Sequence, residues 1–192
     1  MRKLYNWTMQ FASGPNALLA LILVSFAESS FFPIPPDILL VPMILAARDK
    51  AFKIAAWCTI ASVAGGMLGY WIGASLYGTV GQWIIDFYGM GDKVESFRHA
   101  YQQYGAWIIL LKGLTPIPYK LVAIASGFSG YNFLEFVVLS MITRGVRFAI
   151  EGWLLAHYGE PVRNFIEKRL ELVFTASAAV VIFGLVVVKY IF

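Results

Sequence analysis

The sequence predicts an all-α integral membrane protein, a polytopic helical bundle with two opposed re-entrant hairpins in an inverted repeat. The first observation is composition, since 59% of the 192 residues are hydrophobic and only 14% are charged. A soluble domain carries roughly a quarter charged residues, so the excess apolar surface is expected to face lipid. The second observation is that the apolar segments come in two lengths, and the third is a Pro-Ile-Pro motif that occurs twice.

The two ends of the chain are predicted to flank a membrane domain formed by residues 15–160. Residues 1–14 read as an interfacial segment with aromatic rings directed toward lipid. This segment has a basic start but lacks the continuous apolar stretch and the cleavage site of a secretory signal peptide. Residues 160–192 are expected to form an amphipathic connector and a C-terminal transmembrane helix.

Within the membrane domain, segment length separates spanning helices from half-spans, because a helix needs about 20 apolar residues to cross a bilayer. Residues 51–78 and 132–157 are long enough, and each is predicted to be a transmembrane helix. Residues 86–103 are polar and predict an amphipathic helix at the surface. The shorter apolar segments pair into two predicted re-entrant loops, residues 17–47 and 104–128.

Proline clusters lie at the tips of both predicted loops. The first tip contains Pro33, Pro35 and Pro36, which remove three backbone donors, and the second contains Pro116 and Pro118. Two kinked full-length helices would explain the same pattern, but they would place charges against lipid. Irregular backbone at membrane depth is tolerated where it is buried in protein or lines a wet cavity, which favours re-entrant loops.

The two loops are related by a constant offset in sequence, which is set by the first residues of the Pro-Ile-Pro motifs, Pro33 and Pro116. The same offset places Asp37 on Lys120 and superimposes the two long helices. Duplicated broken hydrophobic segments are typical of transporters whose site lies at the interface between inverted repeats. We therefore expect the loop tips to approach each other near the midplane of the bilayer, one carrying acids and the other bases.

Four charged residues are the candidate functional groups of the loops: Glu28, Asp37, Lys112 and Lys120. They could form two buried ion pairs that hold the loops together, although desolvation makes such pairs a poor source of stability. In the functional alternative, the two carboxylates exchange protons and the two lysines bind a lipid phosphate.

A second set of charges lies on one face of the second long helix, because Arg144, Arg147 and Glu151 are spaced i, i+3 and i+7. Arginine binds phosphate through a bidentate fork, so the set is a candidate site for a phosphate-bearing substrate. The alternative is a cluster whose charges neutralise one another.

A glycine stripe, Gly65, Gly69 and Gly73, follows one face of the first long helix. Small residues at four-residue spacing let another helix approach closely. The stripe therefore predicts helix packing and says nothing about chemistry.

Several classes of function are excluded by motifs and charge distribution. The net charge of +4 is dispersed along the chain, so no nucleic-acid surface is predicted. The single cysteine, Cys58, excludes an internal disulfide and a CxxC metal site. Because HExxH, GxSxG and P-loop motifs are absent from the sequence, we expect neither an enzyme nor a cofactor or metal.

The paired loop motifs and the glycine helix together resemble the DedA family, and in particular its short YqaA-like branch. The resemblance covers about residues 15–160, the region known as the VTT or SNARE-associated domain. The matching stretches are Glu28–Asp37, Gly65–Gly73 and Lys112–Lys120, the last followed by Ser126-Gly127.

The resemblance implies a prokaryotic plasma-membrane protein with two opposed re-entrant loops. Proteins of this family are associated with proton-dependent translocation of polyprenyl-phosphate carrier lipids and with envelope homeostasis, and distant relatives look like lipid scramblases. Glu28 and Asp37 match the family's functional acids. Lys112 and Lys120 sit where many members have arginines, which leaves the substrate less closely specified.

We accordingly expect a multi-pass lipid transporter or scramblase whose partners are membrane lipids and protons, with a homo-oligomer as an open alternative. Two other classes use the same residues. One is a proton- or cation-coupled transporter of a small solute, and the other is a membrane scaffold that transports nothing. Ion-dependent flux without lipid movement would distinguish the first, and a wild-type phenotype in charge-neutral variants would distinguish the second.

Overall fold

A computed structural model describes residues 14, 16–31, 35–78, 87, 91–112 and 118–168. The side chains at 93, 112, 160 and 162–168 are outside this description, as are the predicted C-terminal transmembrane helix, Pro33, Pro116 and nearly all of the N-terminal segment. The described residues form six α-helices, which we number α1 (Ala17–Ser30), α2 (Asp37–Ala46), α3 (Ala51–Leu76), α4 (Gly91–Lys112), α5 (Tyr119–Ser129) and α6 (Phe133–Lys168).

The all-helical prediction is confirmed for this part of the chain, and prolines mark its short helices. Pro36 is the residue that immediately precedes α2, and Pro118 precedes α5. Proline suits the start of a helix, because its missing N–H would have no intrahelical partner there. Gly130, with φ of 70°, adopts the left-handed conformation that ends α5. α1, α2 and α5 are thus separate short helices of 14, 10 and 11 residues.

Two helices are longer than the sequence pattern predicts. α4 runs without a break from Gly91 to Lys112. Over this range, the predicted surface helix at 86–103 and the predicted apolar segment after it are therefore one helix. No proline interrupts this stretch, and the change from polar to apolar residues does not by itself end a helix. α6 continues past the predicted end at 157 through a kink at Tyr158. Pro161 accounts for the kink, because its ring clashes with the carbonyl four residues earlier.

α3 is the central helix, and its glycine face contacts α1 and α5. A Cβ atom at Gly65 would collide with the backbone of Phe26, and one at Gly73 would collide with the backbone of Ile124. Gly69 lies between these two contacts, close to α1 and α5 together. The glycine stripe is therefore occupied by two short helices of the same chain.

α3 and α6 are antiparallel. Their contacts run in opposite order along the two helices, namely Ala55 with Gly152, Thr59 with Gly145, Ser62 with Arg144, and Tyr70 with Phe136. Because residue numbers rise along α3 as they fall along α6, the two longest helices would cross a membrane in opposite directions.

Three helix boundaries recur along the chain at one constant offset. The differences 112 − 30, 119 − 37 and 133 − 51 are equal, and they relate the end of α1 to that of α4, the start of α2 to that of α5, and the start of α3 to that of α6. The Pro-Ile-Pro motifs, which begin at Pro33 and Pro116, follow the same repeat with a displacement of a single position. α1 and α4 are each followed in the chain by a Pro-Ile-Pro motif, a short helix and a long helix, so this order of elements occurs twice.

Large apolar side chains remain exposed along the outer faces of several helices. They include Phe52, Ile60 and Trp71 on α3, Trp107 on α4, and Leu134, Val138 and Ile150 on α6. Large apolar side chains exposed in this number on helix faces are typical of contact with lipid or with another protein. By length and composition alone, one helix among the described residues, Arg48–Leu76 including its 3-10 turn, is suited to cross a bilayer. α6 is comparable in length but carries charged residues along that length.

Candidate functional site

The most deeply buried charged group of the described chain is the guanidinium of Arg144 on α6. Its Nη2 donates to Glu28 Oε2 at 3.0 Å, which joins α6 to the last turn of α1. The side chains of Arg144 and Glu28 are only 5% and 15% exposed. The ion pair connects residues 116 positions apart in the sequence and lies where α1, α3 and α6 meet.

Two serine hydroxyls complete the polar shell around this ion pair. Arg144 Nε donates to Ser62 Oγ at 2.8 Å, and Arg144 Nη2 donates to Ser29 Oγ at 3.2 Å. The two serines are also hydrogen-bonded to each other at 2.7 Å. A buried guanidinium requires such partners, because each unsatisfied donor would add to its desolvation cost.

An aromatic ring covers the other side of the guanidinium. The carbon atom Cζ of Arg144 lies 4.4 Å from the centre of the Tyr119 ring, a cation–π geometry that suits a desolvated arginine. Tyr119 itself packs against Gly66 of α3, where a Cβ atom would collide with its ring. Tyr119 Oη and the neighbouring Ser140 Oγ are buried, and neither makes a well-formed hydrogen bond within the described residues. The two hydroxyls lie close to each other, next to Arg144.

A second ion pair lies one helical turn further along α6. Arg147 Nη2 donates to Asp37 Oδ2 at 2.9 Å, which joins α6 to the first turn of α2. This pair is wetter, with side chains 41% and 30% exposed. The other oxygen of the carboxylate, Asp37 Oδ1, is buried and makes no well-formed hydrogen bond within the described residues. Glu151 lies one turn beyond Arg147, and its carboxyl group interacts electrostatically with Asp37 and Arg147.

The two acids of the first predicted loop are thus brought together with the arginines of α6. The sequence had suggested a pairing of these acids with lysines, and had left the arginines either to a phosphate or to a cluster whose charges neutralise one another. Lys120 is half-buried in the first turn of α5, next to Tyr119, and Lys112 is the last residue of α4, described for its backbone alone. Arginine-to-acid pairing between α6 and the first hairpin was not predictable, since its partners are more than 100 residues apart.

Three polar or aromatic residues of the site, Ser29, Ser62 and Tyr119, were not singled out from the sequence. A signal existed for two of them. Ser29 follows an intramembrane acid directly, and Ser62 lies three residues before Gly65 on the same helix. Residues at this spacing share a helix face, so a hydroxyl in line with the glycine stripe faces the same close neighbours. Nothing in the sequence placed Tyr119 beside Arg144.

The arrangement of these charged groups defines a class of protein. It is a helical protein with an apolar exterior and a charge cluster enclosed between short, proline-flanked helices. Three carboxyl groups and two guanidinium groups lie within it: Glu28, Asp37, Glu151, Arg144 and Arg147. Enclosed charges of this kind in membrane proteins mark pathways for ions or charged substrates.

Comparison with known proteins gives the family. A family model for the VTT domain matches residues 34–156, a stretch that includes Asp37, Arg144, Arg147 and Glu151 and begins after Glu28. The chain therefore belongs to the DedA family of VTT-domain membrane proteins.

Two curated relatives cover most of the chain. An uncharacterized protein of Haemophilus influenzae is 34% identical over 173 residues, which cover 88% of each chain. An uncharacterized protein of Histophilus somni is 34% identical over 184 residues, covering 96% of this chain and 94% of the relative. No solved structure matches the chain. Family membership suggests a transporter-like role in a membrane.

Proposed function

We propose that this chain is a multi-pass transporter of the prokaryotic plasma membrane that moves lipids with phosphate head groups between leaflets. The observation that carries the proposal is the guanidinium of Arg144, enclosed by one carboxylate, two hydroxyls and an aromatic ring. A charge at such depth is expensive in a membrane protein and is typically retained for a substrate or ion pathway. Stability alone is a weak reason for it, because apolar residues of similar volume often stabilise a core as well as a buried ion pair does.

Phosphate is the ligand that this donor set suits. An incoming phosphate would take over the guanidinium donors that now face Glu28 and Asp37, with the planar fork of each arginine matching two of its oxygens. Tyr119 Oη and Ser140 Oγ, the buried hydroxyls beside Arg144 that make no well-formed hydrogen bond in the described chain, could donate further hydrogen bonds. We assign Lys112 and Lys120 to electrostatic attraction of the head group, because lysine binds phosphate as a point charge. The lipid tail would remain in the bilayer, so no sealed pore is needed.

Protons provide the balancing charge in this mechanism. With every group ionised, three carboxylates and two guanidiniums leave the cluster at a charge of −1. Uptake of a proton by Glu28, Asp37 or Glu151 would neutralise the cluster, and displacement of the acids from their arginines by phosphate would favour that uptake. Proton binding and phosphate binding would thus support each other, which is the reciprocity that coupled transport requires.

The inverted repeat with two re-entrant hairpins is the architecture we propose for this transporter. Three features support it: the antiparallel course of α3 and α6, the constant offset between helix boundaries, and the hydrogen bond from Arg144 to Ser62. Those two residues are themselves 82 positions apart, which equals the offset between the boundaries. Residues at equivalent positions of two repeats meet each other only near the axis that relates the repeats. The site would then lie on that axis, where transporters built from inverted repeats bind substrate.

The test is transport in reconstituted vesicles. Movement of a fluorescent phospholipid and of a fluorescent polyprenyl phosphate would be followed for the wild type and for the Asp37→Asn, Lys120→Gln and Arg144→Gln variants. Arg98→Gln is the matched control, since Arg98 is bonded to Tyr77 and to the Ser129 carbonyl, outside the charge cluster. We expect the three site variants to lose most lipid movement and the control to retain it.

The outcomes separate this proposal from its rivals. Full transport by Asp37→Asn and Lys120→Gln would overturn the mechanism. Proton-dependent flux of a small solute, with no lipid movement in the wild type, would favour a solute transporter. Wild-type behaviour of every charge-neutral variant, together with no transport, would favour a scaffold.

A further inference from the structure

An open cavity lies at the opposite end of the first hairpin from the charge cluster. It has a volume of about 380 Å³ and is lined by the start of α1, the end of α2 and the start of α3. Leu18 in its wall and Glu28 in the charge cluster are ten residues apart on α1, or about 15 Å along the helix axis. The cavity is therefore separate from the site described above.

The wall of this cavity is apolar with a cationic rim. Leu18, Met43 and Ile54 contribute apolar surface, while Lys50 and Lys53 contribute the charged side chains of the wall. No acidic residue is among the described residues that line it. An occupant with an anionic end and a hydrocarbon body would complement both parts of the wall, whereas a free anion would leave the apolar part uncovered.

The order of residues along α3 matches the polarity gradient of a membrane interface. Lys53, Trp57 and Ile60 follow one another at helical spacing on one face, and Lys50 precedes them in the adjoining 3-10 turn. Trp57 is 42% exposed and Ile60 is 49% exposed. Where a helix leaves a bilayer, lysine is expected at the level of the lipid phosphates, tryptophan just below it and aliphatic side chains deeper still. The order along α3 fits this arrangement.

The first turn of α1 adds favourable electrostatics to the same cavity. Ala17 and Leu18 line the wall, and α1 has neither an acidic residue in its first turn nor a side-chain cap at Asn16. The positive end of the helix dipole therefore faces the cavity without an internal counter-charge on α1. This contribution is secondary to the two lysines.

We propose that this cavity binds an anionic glycerophospholipid, with the phosphate between Lys50 and Lys53 and the upper acyl chain against Leu18, Met43 and Ile54. Such a lipid would contact three helix ends at once and hold the base of the first hairpin together. The site is distinct from the transport route, and it would exist whether or not the chain moves lipids.

The experiment measures binding through Trp57. Protein in neutral detergent would be titrated with phosphatidylglycerol or phosphatidylcholine carrying the same brominated acyl chains, which quench nearby tryptophan fluorescence. We expect the wild type to bind phosphatidylglycerol more tightly. A Lys50→Gln, Lys53→Gln double variant should lose about 30-fold in affinity for phosphatidylglycerol, since each lysine near an anionic surface contributes favourably. Trp57→Phe should remove most of the difference in quenching amplitude between the two lipids, which assigns that signal to this cavity among the six tryptophans of the chain.

The controls identify the occupant. A Lys50→Arg, Lys53→Arg variant keeps both charges and should keep the selectivity. Equal affinity of the wild type for the two lipids, or unchanged selectivity in the glutamine double variant, would overturn the proposal. Displacement of the lipid by millimolar inorganic phosphate would also overturn it, because a site for the anion alone does not need the hydrocarbon. Since both lysines lie at helix ends, the melting temperature of the double variant should stay close to wild type.

Discussion

Replacing Arg144 by glutamine tests the central ion pair through the stability of the protein. The substitution removes the donors to Glu28, Ser29 and Ser62 and the contact with Tyr119. Breaking one half of a buried ion pair costs about 3–5 kcal/mol, because it leaves a buried charge without its partner. The Glu28 side chain is 15% exposed, so water can relieve part of this cost. We expect a loss of about 3 kcal/mol, the lower end of that range.

The assay is thermal unfolding in detergent. For a chain of this length each kcal/mol lowers the melting temperature by about 2–4 °C, which predicts a decrease of roughly 6–12 °C for Arg144→Gln. A Glu28→Gln, Arg144→Gln double variant removes both charges and should recover part of the loss, about 1–2 kcal/mol relative to the sum of the single variants. The double variant should nevertheless fail to transport lipid, because Arg144, the proposed donor to the phosphate, is absent.

Additive effects of Glu28→Gln and Arg144→Gln on stability would contradict this prediction. If the double variant melts at the temperature expected from adding the two single effects, Glu28 and Arg144 do not interact and the buried ion pair does not form. Arg98→Gln is the control for loss of an arginine outside the cluster, because its partners include the Tyr77 hydroxyl at 2.6 Å and no residue of the cluster.

The remaining predictions concern the outer ion pair, the helix packing and the proton site. Arg147→Gln should cost only about 1 kcal/mol, since its pair with Asp37 is partly exposed, and the same melting assay measures it against Arg144→Gln; an equal loss would contradict the difference in burial. Gly73→Ala should destabilise by about 1–3 kcal/mol, because its methyl group meets the backbone of α5, whereas Gly78→Ala, which meets nothing within 4 Å, should have little effect. Glu151→Gln should leave folding intact and flatten the decline of transport with rising pH, as a neutral side chain removes the need for a proton; an unchanged pH profile would assign the proton to another acid.

The helices that the sequence predicted best are those with strong local signals. Proline clusters beside charges marked the breaks around α1 and α2, and the nearly uncharged length of α3 marked a long helix. α4 was divided incorrectly, because a change from polar to apolar composition was read as a boundary although no helix breaker accompanies it. The extension of α6 past Tyr158 was missed for the opposite reason, since Pro161 kinks the helix without ending it.

The candidate site was less accessible from the sequence, because its geometry depends on contacts between distant segments. Helical spacing gives Arg144, Arg147 and Glu151 a common face, but it cannot say what that face meets. The partners became visible only when α1 and α2 were placed against α3 and α6, which brings residues more than 100 positions apart to within 3.0 Å. The small residues of α3 are what permit this approach, and the stripe at Gly65 was the sequence signal closest to the site.

The two halves of the chain use equivalent positions in different ways, and the difference bears on how the proposed transporter would work. The offset between helix boundaries is one position shorter than the offset between the Pro-Ile-Pro motifs, so Asp37 corresponds to Tyr119 and not, as predicted, to Lys120. Gly65 corresponds to Arg147 under the same offset. In one half, Asp37 forms an ion pair with Arg147. In the other half, the equivalent residue Tyr119 packs against Gly66, which is next to Gly65. An ion pair can open to admit a phosphate, because the phosphate replaces the carboxylate. A tyrosine packed on glycine offers the phosphate no such exchange. In the proposed transporter, phosphate would therefore enter through the charged half, while Tyr119 would stay packed on Gly66 and offer its hydroxyl as a donor beside Arg144.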